Sequence, residues 1–223
     1  MEGSAAVKDF IAVYTQAVNL FTQGEYDRSW QMLDNFARRS EARSLVAEYL
    51  KAHILWAQEK YVSEVALLEA VLRDYASSDD KKRLAGAYSL LGAGYARLGR
   101  SKEAVEACVH STGLETEVPK KLMNISDALF TANAIEDLSP DKMQELYSLY
   151  RHYLKELAVE VYPPPGWHHK KIRIGYLSAD LMNHAVGQFV RPFFFDYDSL
   201  AFEVFVYQLN RECDFITEDL RRV

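Results

Sequence analysis

Apolar residues recur every three to four positions from the first residues to about 157, and the period then changes. The clearest stretch is "AYSLLGAGYARLGRSKEAVEACVHS". It sets Tyr88, Leu91, Gly92 and Tyr95 on one helix, Gly99 in a turn, and Ala104 and Cys108 on a second helix. Gly92 and Ala104 are the small residues at which paired helices can approach, and Tyr88, Leu91 and Tyr95 fill the space around them. Weaker copies lie upstream: Ala17, Leu20, Gly24, Tyr26 and Ser29 in the first, and Tyr49, Trp56 and Val65 in the second, which has no turn glycine. Aligning Gly24, Lys60 and Gly99 gives steps of 36 and 39 residues, the extra length falling in the polar loop "YASSDDKKR". One helix pair cannot bury its own faces, so the copies must stack.

Beyond Gly113 the repeat ends and two further helices are predicted. The first carries Pro119 in its opening turn, and the second has Ser139 as N-cap, Pro140 at the first helical position and Asp141 in the first turn. Leu146, Leu149, Tyr150, Tyr153, Leu154 and Leu157 form a stripe on the second, read as packing between domains, with His152 exposed or at an interface. "PPPGWHH" breaks the helix and marks a boundary. Two short β-rich runs follow, "KIRIGYL" and "FEVFVYQL", separated by an amphipathic segment with Pro192 inside it. Strand, crossover helix, strand predicts a right-handed βαβ unit with parallel strands. "DFITEDLRRV" opens another helix with Asp214 or Thr217 near its start. The resulting division is 1–116 helical repeats, 117–162 helical connector and 163–223 the start of an α/β unit.

The repeat spacing resembles the tetratricopeptide (TPR) pattern, large-x-x-Leu-Gly-x-x-Tyr then Ala-x-x-x-aromatic, with Cys108 in the aromatic slot. The predicted class is therefore mainly α: a TPR-like α-solenoid followed by a partial α/β unit.

Composition narrows the function. Half of the 223 residues are apolar, a quarter are charged, and the net charge is −6, a soluble globular profile. An acidic chain is a poor candidate for nonspecific nucleic-acid binding, which needs clustered Lys and Arg; the short basic runs "KKR" at 81–83 and "HHKK" at 168–171 read as solvated loops. No run approaches the roughly 20 apolar residues of a membrane span. Cys108 and Cys213 form no CxxC or zinc-like spacing, and the N-terminus carries no leader pattern, so the expectation is a reducing, cytoplasmic setting with no bound metal.

The chemistry-bearing segment is "SADLMNHAVGQ", the loop leaving the first predicted strand, where parallel α/β sheets bind ligands. It contains no dinucleotide fingerprint, P-loop, nucleophile elbow or HExxH motif. A histidine before a helix N-terminus faces the positive dipole end, which favours neutral imidazole able to accept a proton or a hydrogen bond from a hydroxyl. His184 is thus the candidate catalytic residue, and Asp180, Asn183, Ala185, Val186, Gly187 and Gln188 are the candidate substrate contacts. The same residues also suit a structural role: His184 or Asn183 capping the crossover helix, Gly187 allowing close packing, and Asp180 either orienting His184 or capping loop amides.

From about Ala128 onward the chain resembles the O-linked N-acetylglucosamine transferase family, including its SPINDLY-like members. The matching positions are Arg173, Ile174, Gly175, Tyr176, Ser178, Asp180, His184, Asp198, Phe202, Glu203, Val204 and Tyr207, with Leu181 where the family usually has Phe. The resemblance implies a GT-B glycosyltransferase of two Rossmann-like lobes that transfers N-acetylglucosamine from UDP-GlcNAc to protein Ser or Thr, with inversion and without metal or cofactor. It implies that acceptor proteins are recruited by the TPR groove and that His184 lies in the active site. It also implies that most donor contacts come from a second lobe, so a chain ending at Val223 reads as a fragment unable to turn over substrate. Family members carry groove asparagines that grip peptide backbone; the corresponding slots here read as Thr15, Lys51 and Leu90. The alternative is a TPR adaptor that binds proteins without catalysis.

Overall fold

The computed structural model describes residues 2–40, 44–157 and 169–221, and the chain divides into two compact units, Met1–Val159 and Glu160–Val223. Almost all of "PPPGWHH" lies outside the described residues.

Among the described residues of the first unit, eight helices follow one another: α1 (Glu2–Thr22), α2 (Tyr26–Ser40), α3 (Leu45–Ala57), α4 (Tyr61–Asp74), α5 (Lys81–Arg97), α6 (Ser101–Leu114), α7 (Val118–Ala132) and α8 (Pro140–Glu156). They pack as pairs, α1 with α2 through α7 with α8, and each pair stacks on the next through α2–α3, α4–α5 and α6–α7. The segment read as a connector therefore continues the stack as a fourth pair. α8 starts where Ser139 accepts a hydrogen bond from the Lys142 N–H, and α5 starts where Asp80 does the same for Arg83. Of the stripe along α8, Leu146 alone is buried, against Cys108, Ala128 and Ala132, while Leu154 and Leu157 are exposed.

The small residues sit where helices touch. A Cβ on Gly92 would lie 2.7 Å from Cys108 Sγ and 3.2 Å from the Ala104 carbonyl oxygen. Ala104 is fully buried, Leu91 and Tyr95 are buried, and Tyr88 packs on His110.

The interhelical turns pass through left-handed residues at Gly24, Glu59 and Gly99, two positions before α2, α4 and α6 begin. The equivalent residue in the second pair is thus Glu59, one before the Lys60 that sequence alignment selected; a non-glycine there leaves no mark in the sequence. A left-handed L-residue costs roughly 1–2 kcal/mol. Glu59→Gly is expected to stabilise the protein by about 1 kcal/mol, read as a rise in Tm of about 2–4 °C.

Polar groups in the seams are joined in a chain: Ser111 Oγ donates to the Ala85 carbonyl (2.7 Å), Asn124 Nδ2 to Ser111 Oγ (2.8 Å), and Ser89 Oγ to Asn124 Oδ1 (3.0 Å). Lys51 is also internal, only 5% exposed, with its ammonium 3.4 Å from both Glu48 and Asp34. It does not occupy the groove slot that the repeat alignment assigned to it.

The second unit holds β1 (Ile172–Ser178), α9 (Ala185–Phe195), β2 (Phe202–Gln208) and α10 (Phe215–Leu220). The strands are parallel, with Ile172 opposite Phe202 and Ser178 opposite Gln208. Leu181, Phe194, Ile216 and Leu220 form its core, with Tyr176 edge-on to Phe194. Pro192 lies inside α9 and cannot donate to the preceding turn, and the helix ends three residues later. Leu177, Tyr207 and Leu209 remain exposed.

Candidate functional site

The loop from Ala179 to His184 is fixed at both ends and from below. Leu181 is buried in the core, and its carbonyl accepts from Thr217 Oγ (2.8 Å). Asn210 Nδ2 donates to the Ala179 carbonyl. Asp214 joins the loop to α10: one carboxylate oxygen accepts from the N–H groups of Ile216 and Thr217, the other from the N–H of Asn183. Desolvation pulls the Asp214 carboxyl upward, but the N–H bonds from Asn183, Thr217 and Ile216 outweigh it and hold it below the usual carboxylate range. Asp214 was legible as a helix cap, whereas its reach to Asn183, 31 residues away, was not.

His184 is the N-cap of α9, its Nδ1 accepting from the Val186 N–H at 3.3 Å. This bond sets the tautomer: in the neutral ring the proton sits on Nε2, which is then a donor. Nδ1 can take a proton only by releasing the cap. Asp180 makes no hydrogen bond to His184 among the described residues; its N–H donates to Ser178 Oγ. Asn183 Oδ1 accepts from Gln188 Nε2 at 3.5 Å. The first-turn N–H groups of Ala185 and Gly187 have no acceptor among the described residues. Nε2–H and these amides give α9 a donor-rich N-terminus, the arrangement that receives anions. A Cβ on Gly187 would lie 2.1 Å from the Met182 carbonyl oxygen, so glycine is required by the approach of the loop backbone itself.

The first unit carries a concavity of about 1270 Å³ over α3, α5 and α7. Tyr49, His53 and Trp56 line its α3 side, one residue per turn. Gly86 and Ala93 of α5 form a low floor, Gly86 lying where a Cβ would meet Tyr49 Oη at 2.6 Å. Met123, Asp127 and Phe130 line the α7 side, with Met123 58% and Phe130 82% exposed. Burial lowers the His53 pKa and pushes the Cys108 thiol up to about 12, so neither is charged at neutral pH. Asn124 reaches this face but is committed to Ser89 and Ser111. Leu90 lines the groove and Thr15 does not. Among the described residues no helix is long and apolar enough to cross a membrane.

No family model matches the chain, and no curated protein does. Among solved structures, a Lys-to-Met mutant of the Thermobaculum terrenum O-GlcNAc transferase matches all of this chain with a TM-score of 0.57 and 21% identity. The chain spans 41% of that protein's length. A double mutant of MamA from strain RS-1 matches 65% of the chain and 74% of its own, with a TM-score of 0.51 and 20% identity. MamA of Desulfovibrio magneticus RS-1 covers 64% of the chain and 72% of its own, with a TM-score of 0.48 and 20% identity. At these identities the likeness is one of fold: the chain is mainly helical, and its helical unit is TPR-like.

Proposed function

We propose that the chain is the TPR-bearing portion of a protein O-glycosyltransferase that moves N-acetylglucosamine from UDP-GlcNAc to Ser or Thr, the helical groove recruiting the acceptor. The observation that carries this reading is the donor-rich start of α9, placed after the first strand of a parallel βαβ unit. In the reaction, the acceptor oxygen bonds to the anomeric carbon while the sugar–phosphate C–O bond breaks and UDP leaves with the electron pair. The α9 N-terminus would receive the diphosphate or developing charge on the amides of Ala185 and Gly187 and on His184 Nε2–H, with Asn183, Val186 and Gln188 shaping the loop. While the Val186 cap holds, His184 acts as hydrogen-bond donor, and the hydroxyl proton leaves to another acceptor. The chain of 223 residues is expected not to turn over by itself, because the α/β unit contributes two strands among the described residues.

A donor role and a base role separate experimentally. Asn caps a helix and also donates, but it cannot serve as a base. In the protein expressed from its complete reading frame, His184→Asn is expected to keep kcat/KM for UDP-GlcNAc transfer within about 10-fold of wild type, and His184→Ala to lose about 100-fold. Equal loss in both would remove the donor role.

The second reading, a TPR adaptor without catalysis, is favoured by one feature: the residues that line the groove all belong to the first unit. It predicts protein binding with no UDP binding.

A further inference from the structure

The charges around the groove are unevenly satisfied. At the end near the starts of α5 and α7, Lys82 and Lys120 pair with Glu117 (3.3 and 2.7 Å), and Arg83 pairs with Asp80. Glu115 spends its carboxylate on the N–H groups of Thr116 and Glu117. Arg97, the last residue of α5, differs. Its guanidinium lies 5.8 Å from the Trp56 ring centroid and 5.9 Å from that of Tyr61, and it has no carboxylate partner among the described residues. Arg97 is exposed, its guanidinium is within cation–π reach of both rings, and its N–H donors are left without a carboxylate among the described residues. Two groove carboxylates, Glu115 and Asp127, also have no ion pair among the described residues, and burial raises the Asp127 pKa. Of the groove's cations, Arg97 is the one left without a carboxylate among the described residues, and it sits at the Trp56 end. The α3 side of the groove is aromatic, and the α7 side carries two exposed apolar side chains, Met123 and Phe130.

We propose that this groove takes a linear segment of a partner protein that carries a large apolar side chain close to an Asp or Glu, the apolar group between the α3 aromatics and α7 and the carboxylate on the edge of Arg97. The proposal rests on the reading of the groove as a protein-binding surface and adds the chemistry of what it selects. Recognition through side chains replaces the backbone grip that groove asparagines would supply, since Asn124 is already committed to Ser89 and Ser111.

The test is selection of displayed random peptides on the whole chain, followed by fluorescence anisotropy of the synthetic consensus peptide. Arg97→Gln and a floor-filling Ala93→Trp variant serve as comparisons, each first checked by thermal melting followed by circular dichroism. The expected consensus pairs Phe, Trp or Leu with a nearby Asp or Glu, binds Arg97→Gln about 10-fold more weakly, and fails to bind Ala93→Trp; tenfold is what one charge-assisted hydrogen bond of about 1.4 kcal/mol supplies. A consensus that is lost in Ala93→Trp yet lacks an acidic residue, or binds Arg97→Gln as well as wild type, overturns the carboxylate pairing and leaves the groove as a binding surface. Peptides that bind Ala93→Trp undiminished, or the absence of any consensus, overturn both.

Discussion

Glu64→Met is expected to stabilise the protein at pH 8.5 by several kcal/mol and to leave it nearly unchanged at pH 4.5. Glu64 is fully buried on α4, and neither carboxyl oxygen has a hydrogen-bond partner among the described residues. It fits because α5 presents Gly94 opposite: a Cβ there would lie 2.2 Å from Glu64 Oε2. Burial pushes its pKa from 4.5 up to about 8. The sign follows from proton binding. Below the unfolded pKa both states are protonated and stability is full. Between about 4.5 and 8 the unfolded chain ionises while the folded one does not, so stability falls by about 1.4 kcal/mol per pH unit, and above 8 the loss is complete. Over that window the loss is about 4 kcal/mol, or roughly 10 °C in Tm for a chain of this size. Surface charges also shift stability with pH, so the quantity to measure is the difference in Tm between wild type and Glu64→Met from pH 4.5 to 8.5. A difference that stays constant would show that Glu64 ionises normally in the folded state.

Gly187→Ala is expected to release the His184 loop. The added methyl would fall 2.1 Å from the Met182 carbonyl oxygen and 3.2 Å from that of Asp180, and backbone cannot turn aside as a side chain can. Overpacking of this kind costs about 1–3 kcal/mol. Two hydrogen bonds report it: the Val186 N–H to His184 Nδ1, and the Gln188 N–H to the His184 carbonyl at 3.1 Å. Hydrogen exchange at both amides should accelerate about 30-fold, the equivalent of about 2 kcal/mol, while the amides of α5 and α6 keep their wild-type rates. Unchanged exchange at Val186 and Gln188 would mean that the loop holds His184 without the close approach at Gly187.

The parts of the fold that sequence made legible are those where one residue type has one physical use. Gly92 and Ala104 could be read as a helix contact because no larger residue allows it, and Ser139–Pro140–Asp141 as a helix start because each satisfies a terminal requirement. Glu59 hid the second turn, since a left-handed glutamate looks like any surface glutamate. Lys51 was read as a groove residue because the repeat alignment put it in a groove slot; here it is buried, and Glu48 and Asp34 neutralise it. Glu64 was invisible because its burial depends on a glycine 30 positions away. In the α/β unit, the period change and Pro-rich break outlined strand, helix and strand, and His184 stood out by position. Its working state did not, because the nitrogen that caps Val186 is set by the path of the loop, and that path depends on Asn210, Asp214 and Thr217 beyond β2.

The proposed role of the α9 start is sugar transfer to a protein recruited by the groove. The most direct measurement is transfer of radiolabelled GlcNAc from UDP-GlcNAc to protein Ser and Thr by the protein expressed from its complete reading frame, compared with its His184→Ala and Ala93→Trp forms. Labelled acceptor is expected with wild type, about 100-fold less with His184→Ala, and loss of protein labelling with UDP binding intact for Ala93→Trp. No labelling and no UDP binding by wild type, or equal labelling by wild type and His184→Ala, would contradict the proposed role.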